Sequence, residues 1–182
     1  MLRRDIQLLD VEIVTERLIL RPIDLIDLEP IAREFDEEIT RYMYPPPARS
    51  AMDVAPFIAN SIEGLSNNTN LQLVANLAEN SEQFVGCLGL HRVNTPTPEL
   101  GVWIAKGFHR QGLGLEAIEA LCGWAADEIE CDYLRYPVDR ENLPSRRIPE
   151  NLGGEIEDEY DRITPDGRTL NIVEYRIYPE TI

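Results

Sequence analysis

Residues 99–125 read ELGVWIAKGFHRQGLGLEAIEALCGWA, and the rest of the chain is arranged around this stretch. Leu100, Val102 and Ile104 alternate with Gly101 and Trp103, the period of a half-buried strand, and Lys106-Gly107 ends the alternation. Ile118, Leu121, Cys122, Ala125 and Ile129 then fall at i, i+3, i+4, i+7 and i+11, one apolar stripe on a helix that starts near Gly112 or Leu113. Between the two, His109-Arg110-Gln111-Gly112-Leu113-Gly114 offers a run of backbone amides with two glycines. A helix N-terminus has unpaired N–H groups and the positive end of the dipole, and glycine permits close approach, so such a turn suits a pyrophosphate. Gly-Leu-Gly before a helix is also ordinary turn chemistry, and the spacing alone does not choose.

ELGVWI followed by FHRQGLGLEA resembles the acetyl-CoA-binding segment of the GNAT superfamily of N-acetyltransferases. Their loop reads Gln or Arg, two free positions, Gly, one free position, then Gly or Ala. Gly112 and Gly114 take the two small positions, and Glu116-Ala117 matches a pair frequent in one branch. His109 stands where Gln or Arg is usual, a mild departure if that position contributes chiefly its amide. Two further pieces resemble the ribosomal-protein-alanine acetyltransferase (RimJ/RimL-like) branch. Thr15-Glu16-Arg17-Leu18-Ile19-Leu20-Arg21-Pro22 is similar to its opening strand, and Glu141-Asn142-Leu143-Pro144-Ser145-Arg146-Arg147, with Gly153 beyond, to its Asn-x-x-Ser element. The three pieces lie in the family's order and span most of the chain.

A chain of 182 residues, 43% of them hydrophobic, is long enough for one core and short for two. One domain is expected over 1–182, with 1–12 as an N-terminal extension. A net charge of −16 argues against nucleic-acid and anionic-membrane partners, because phosphates are repelled, and it steers a cationic acceptor favourably. The same excess of Asp and Glu also keeps a protein soluble. Cys87, Cys122 and Cys131 are odd in number, far apart and in apolar surroundings, so they read as reduced core residues. With only His91 and His109 as histidines and no CxxC pair, no metal site is expected. Residues 1–10 contain no apolar run of signal-peptide or membrane-span length, and a soluble cytoplasmic protein is expected.

In chain order, residues 13–21 read as a first strand, and Asp27 as the cap of a helix to about Phe35. Tyr42-Met43-Tyr44-Pro45-Pro46-Pro47 is too proline-rich for helix or central strand and predicts a rigid loop. A helix follows over 50–65, capped by Ser50, with Val54, Phe57, Ile58 and Ile62 on one face and Pro56 in its early turns. Residues 71–77 and 83–90 read as a hairpin with a turn at 78–82 and with Gly86 and Gly89 interrupting its second strand. After the central helix come a strand at 133–139, a helix at 142–152 tightened or kinked by Pro149, and a terminal hairpin, 155–163 and 169–178, around Thr164-Pro165-Asp166-Gly167-Arg168. The order predicts an α+β fold, an α/β three-layer arrangement: a mixed, mostly antiparallel sheet with helices on both faces, the GNAT-like acyl-CoA N-acyltransferase fold.

The resemblance implies acetyl-CoA as acyl donor, with no metal, and direct attack by an amine. Backbone at Trp103, Ile104 and Ala105 then pairs with the pantetheine arm. Amides of His109, Arg110, Gln111, Gly112, Leu113, Gly114 and Leu115 hold the pyrophosphate. Asn142 bonds the pantetheine end and Ser145 protonates the thiolate, although both residue types also suit a helix cap. For the base there are two candidates: Glu99, at the start of the strand leading to the cofactor, and His91, at the end of its neighbour, which titrates in the right range. Tyr42, Met43 and Tyr44 are candidates to line the acceptor site. A non-catalytic acyl-CoA-binding or regulatory module of the same fold is the alternative. A dinucleotide-binding protein fits less well, since that fingerprint wants three glycines and parallel strands. The acceptor, and the choice between monomer and homodimer, are not readable from the sequence.

Overall fold

In the computed structural model, which describes residues 1–3 and 5–179, eight strands form one sheet. They are β1 (Ile13–Val14), β2 (Leu18–Pro22), β3 (Asn70–Leu77), β4 (Asn80–His91), β5 (Glu99–Ile104), β6 (Leu134–Asp139), β7 (Glu155–Ile163) and β8 (Thr169–Ile177), in the order β1-β2-β3-β4-β5-β6-β8-β7. Every pairing is antiparallel except that of β5 with β6. The helices are α1 (Leu28–Glu34), α2 (Glu37–Thr40), α3 (Ala51–Ser66), α4 (Leu113–Glu128) and α5 (Leu143–Asn151). α1 and α3 pack together with α3 on β3, while α4 lies on β5 and α5 on β6 and β8. The expected mixed sheet, mostly antiparallel and flanked by helices, is the observed one.

β3 and β4 carry near-continuous buried runs because both of their faces are covered. Leu88, Leu90 and Leu100 are buried together with Ile118, Leu121 and Cys122 of α4, so the predicted apolar stripe is what docks that helix. Beyond β5 the packing changes. β5 and β6 share a single ladder position, Glu99 opposite Arg135, where the Arg135 amide donates to the Pro98 carbonyl at 2.8 Å. Past that point the strands part, and the sheet is open between them.

Several local expectations are corrected. Residues 13–21 are not one strand: Thr15 Oγ1 takes the Leu18 amide at 2.9 Å, which folds 15–17 into a turn between β1 and β2. Asp24 caps the first helical turn and Asp27 closes the box by accepting the Asp24 amide at 2.9 Å; with Arg21 also on its carboxylate at 2.6 and 2.9 Å, Asp27 makes no side-chain bond to the helix that follows it. The hairpin turn expected over 78–82 is tighter, since Asn80 already belongs to β4. Gly86 and Gly89 do not interrupt that strand. Its irregularity is a bulge, for Ala75 pairs with Gly86 but Asn76 with Phe84, leaving Val85 extra. On α3, Phe57 is exposed and Ile62 half-buried; the buried face is Val54, Ile58, Ser61, Gly64 and Leu65. α5 runs through Pro149 and tightens after it, the Leu152 amide reaching the carbonyls of both Ile148 and Pro149. Gly154 then donates to the Pro149 carbonyl at 2.8 Å. A Cβ on Gly154 would lie 2.8 Å from that oxygen, so the glycine and the proline are one packing solution.

Candidate active site

The gap between β5 and β6 is lined by backbone. In an antiparallel pair, successive residues turn their N–H and C=O groups to opposite sides. Ala105 donates to Val85 at 2.8 Å on the β4 side, and Pro98 accepts on the β6 side, so Val102 presents both backbone groups to the gap and Ile104 its amide, the Ile104 carbonyl being taken by His109. Of the three residues expected to pair with a pantetheine arm, Ile104 is therefore directed into the gap, whereas the Ala105 amide is spent on β4. Trp103 sends its ring to the other side, 5.0 Å from Phe35 and 5.7 Å from Phe84.

At the end of the gap stands the glycine turn. Gly112 is the N-cap of α4 at φ +75°, and Arg110 has φ +60°, so the chain turns sharply into the helix. The amides of residues 110–115 find no acceptor among the described residues, and an anion placed there meets them together. His109 differs from its expected role. Its amide donates to Lys106 at 3.2 Å and its Nε2 to the Ile104 carbonyl at 2.7 Å, so it staples the loop to β5 and offers no free N–H. From outside, Arg17 donates to the Gln111 carbonyl at 2.8 Å and to Glu116 at 2.6 Å. Partial burial alone would raise the Glu116 pKa, but hydrogen bonds from Thr15 and Arg17 outweigh it and hold the carboxyl below its usual range. That is the structural content of the Glu116-Ala117 pair: an ionised side chain that anchors the N-terminal turn to the loop.

Asn142 is the N-cap of α5, its Oδ1 accepting the Ser145 amide at 3.3 Å. The Ser145 hydroxyl is separate from that cap and lies 2.8 Å from the hydroxyl of Tyr136 on β6. Tyr136 is buried, and burial raises its pKa, with the Ser145 bond opposing.

On the face of β3, β4 and β5 covered by α1 and α3 lies a cleft of ≈ 1060 Å³. Phe35, Trp103, Val54, Phe57, Met52 and Pro46 supply apolar wall, and His91 and Gln72 polar groups on the sheet. The His91 ring lies over bare backbone: a Cβ on Gly89 would stand 3.2 Å from Cε1 and Nε2, and one on Gly101 3.8 Å from Nε2. Burial, reinforced by Arg92 and opposed by Glu99, lowers the His91 pKa from 6.5, so the ring is neutral at pH 7. Glu99 pairs with His91 across the ladder, but its carboxylate is held by Arg92 at 2.9 Å and Arg135 at 3.3 Å. Arg135 also grips Glu174 at 2.7 Å, so this network ties β5 to β6 and β8 where the sheet is still closed.

Of the aromatic-proline loop, Met43 lines the cleft, while Tyr42 lies under Arg41 at 5.2 Å and Tyr44 under Arg162 at 4.0 Å. An arginine of the terminal hairpin's turn sets this loop's shape. Arg168, at the tip of the β7–β8 hairpin, donates to the carbonyls of Thr40, Arg41, Met43 and Pro45 at 3.0 to 3.4 Å, and its Nε to Asp166 at 2.8 Å. The Pro-Asp-Gly turn marked the hairpin, but nothing local marked what its arginine reaches. Among the described residues there is no cluster of metal-ligating side chains, and no helix is long and apolar enough to cross a membrane.

The sequence matches the model of the acetyltransferase (GNAT) domain over residues 17–155. No curated protein matches it. Among solved structures, it is similar to an acetyltransferase (GNAT family) from Bacillus anthracis, with 21% identity, 93% of this chain and 99% of the other covered and a TM-score of 0.78. It is also similar to Mycobacterium smegmatis RimJ in complex with CoA-disulfide, at 17% identity, 91% and 83% coverage and a TM-score of 0.79. A third is spermidine N-acetyltransferase from Vibrio cholerae in complex with CoA and spermine, at 18% identity, 92% and 98% coverage and a TM-score of 0.78. At these identities the likeness is one of fold.

Proposed function

The chain belongs to the acetyltransferase (GNAT) family, and from that premise we propose that it is an acetyl-CoA-dependent N-acetyltransferase of the RimJ/RimL-like branch, one domain over 1–182, acting on a primary amine by direct attack. One observation carries the reading: β5 has acceptor-free amides and an open strand edge on one side and the His91 cleft on the other. Donor and acceptor are thus bound on opposite sides of a single strand and meet across it. The amides of residues 110–115 hold the pyrophosphate, and the pantetheine arm pairs with both backbone groups of Val102 and with the Ile104 amide, the Ile104 carbonyl being held by His109.

An ammonium must lose a proton before it attacks. Neutral His91 takes it, directly or through water, because its lone pair is available at pH 7 whereas Glu99 is held by two arginines. Attack forms the new N–C bond and a tetrahedral oxyanion, which backbone N–H groups of β5 stabilise. Collapse breaks the C–S bond, and the amine's second proton passes to water. Ser145, half-buried and hydrogen-bonded to Tyr136 at 2.8 Å, gives the thiolate a proton and takes one back from water. Asn142 keeps Ser145 at the start of α5.

The experiment is free-thiol release from acetyl-CoA with a panel of amines, run on the wild type and on His91→Gln. Turnover reduced about 10²–10⁴-fold in the variant, with acetyl-CoA affinity retained, is the expected result. Acetyl-CoA binding without thiol release for any amine would leave the non-catalytic acyl-CoA module in its place.

A further inference from the structure

The charges around the cleft say more about the acceptor than the net charge of −16 does. Three carboxylates line it: Glu37, Asp53 and Asp166. Asp53 accepts the amides of Arg49 and Ser50 at 2.9 and 3.2 Å, closing the N-terminus of α3. Asp166 takes Thr164 Oγ1 at 2.5 Å and Arg168 Nε at 2.8 Å. Only Glu37 is uncommitted among the described residues.

Of the three arginines that line the cleft, Arg168 is consumed by loop carbonyls. Arg41 and Arg49 face no carboxylate among the described residues, Arg41 having only the Tyr42 ring at 5.2 Å. Both guanidiniums are exposed. Arg110, Arg147 and Arg162 also face no carboxylate among the described residues, but of the arginines without one only Arg41 and Arg49 line this cleft. The cleft they share with His91 is lined mainly by apolar and aromatic side chains. A polyamine needs carboxylates spaced for its distal ammonium groups, and the cleft has one to spare. A guanidinium instead presents paired donors that fit a carboxylate.

We propose that the acceptor is amphoteric: a primary amine on an apolar or aromatic body that ends in a carboxylate, bound with its amine toward His91 and its carboxylate on Arg41 and Arg49. This rests on the acetyl-transfer reading above. The acidic surface as a whole draws in the ammonium end, and the two local arginines fix which end enters last.

The test compares 4-(2-aminoethyl)benzoate, phenethylamine and spermidine on the full chain, by calorimetry with the CoA-saturated protein and by thiol release from acetyl-CoA. The carboxylated amine is expected to bind, and to be turned over in kcat/KM, about tenfold or more better than phenethylamine, the size of a charge-assisted contact at a partly exposed site. That ratio should shrink with added salt and fall toward one in an Arg41→Gln, Arg49→Gln double variant. Arg49→Lys, which keeps the charge without the fork, should keep part of it. Equal binding of the two aromatic amines to the wild type, spermidine outrunning both, or a ratio that survives in the double variant would each overturn the proposal. Arginine-dependent binding of the carboxylated amine without thiol release would uphold this site and remove the transfer reading instead. Both side chains are solvent-exposed, and unchanged melting of the variants confirms that the comparison is between folded proteins.

Discussion

The hydroxyls of Tyr136 and Ser145 stand 2.8 Å apart, one on β6 and the other in the first turn of α5. The cap of that helix does not involve the Ser145 hydroxyl: Asn142 Oδ1 accepts the Ser145 amide, which any residue at 145 would supply. Ser145→Ala therefore leaves the cap intact and removes only the proton donor. We expect kcat to fall about 10²–10⁴-fold with KM for acetyl-CoA nearly constant, read by steady-state thiol release. Asn142→Ala is the converse variant, costing about 1 kcal/mol in thermal or denaturant unfolding through the lost cap. A Ser145→Ala enzyme at the wild-type rate would assign thiolate protonation to water or to Tyr136.

His91 predicts a pH dependence of definite sign. Its folded-state pKa lies below the ordinary 6.5, from burial first and Arg92 second. As pH falls through about 6.5 the unfolded chain takes up this proton before the folded one does, so the contribution to stability is full above that pH and is lost on descent toward the folded pKa. The acid limb of kcat should accordingly fall below pH 6.5 and disappear in His91→Gln. A limb centred above 6.5 in the wild type would identify another base.

Gly112 sits at φ +75°, a conformation that L side chains rarely adopt, and its amide lies within the run open to an anion. Gly112→Asp adds strain of about 1–3 kcal/mol and a negative charge where the pyrophosphate is proposed to bind. Gly114 is at no special angle, and its Cβ would meet only Ile148 and Ile104 side-chain carbons at 3.3 and 3.5 Å. Gly114→Asp thus reports on charge with less strain. Calorimetry should find CoA binding abolished in both, and unchanged affinity in Gly114→Asp would remove the phosphate-loop assignment.

Arg168 holds four carbonyls of a loop about 125 residues earlier in the chain. Arg168→Ala frees that loop, and we expect the acceptor KM to rise about tenfold, roughly 1.4 kcal/mol, while CoA affinity is unchanged. Arg168→Lys should rescue little, because one ammonium cannot span donors that the planar guanidinium spreads over four oxygens. Faster proteolysis of the loop in the variant would locate the effect there.

Legibility followed the range of the interaction. The strand at 100–104, the stripe from Ile118 to Ala125 and the Ser50 start of α3 are local patterns, and each element appears where they place it, although along the strand only Leu100 is fully buried. Errors arose where a side chain had a distant partner. Asp27 has the residue type of a cap but binds Arg21, and Thr15 and Arg17 read as strand but bend toward Glu116, about 100 residues later. His109 looked like a position valued for its amide, and the fold uses its ring instead.

By itself, then, the sequence determined the elements and the turn that suits a pyrophosphate, because strand alternation, helical stripes, glycine conformation and helix-end amides are properties of neighbouring residues. Tertiary structure decided which polar groups remain available. Arg92, just past β4, and Arg135 on β6 occupy Glu99, burial over Gly89 and Gly101 keeps His91 neutral, and the terminal hairpin shapes the acceptor loop through Arg168. Each of these depends on which strands lie side by side and on how much water they exclude, and neither quantity is carried by any single stretch of chain.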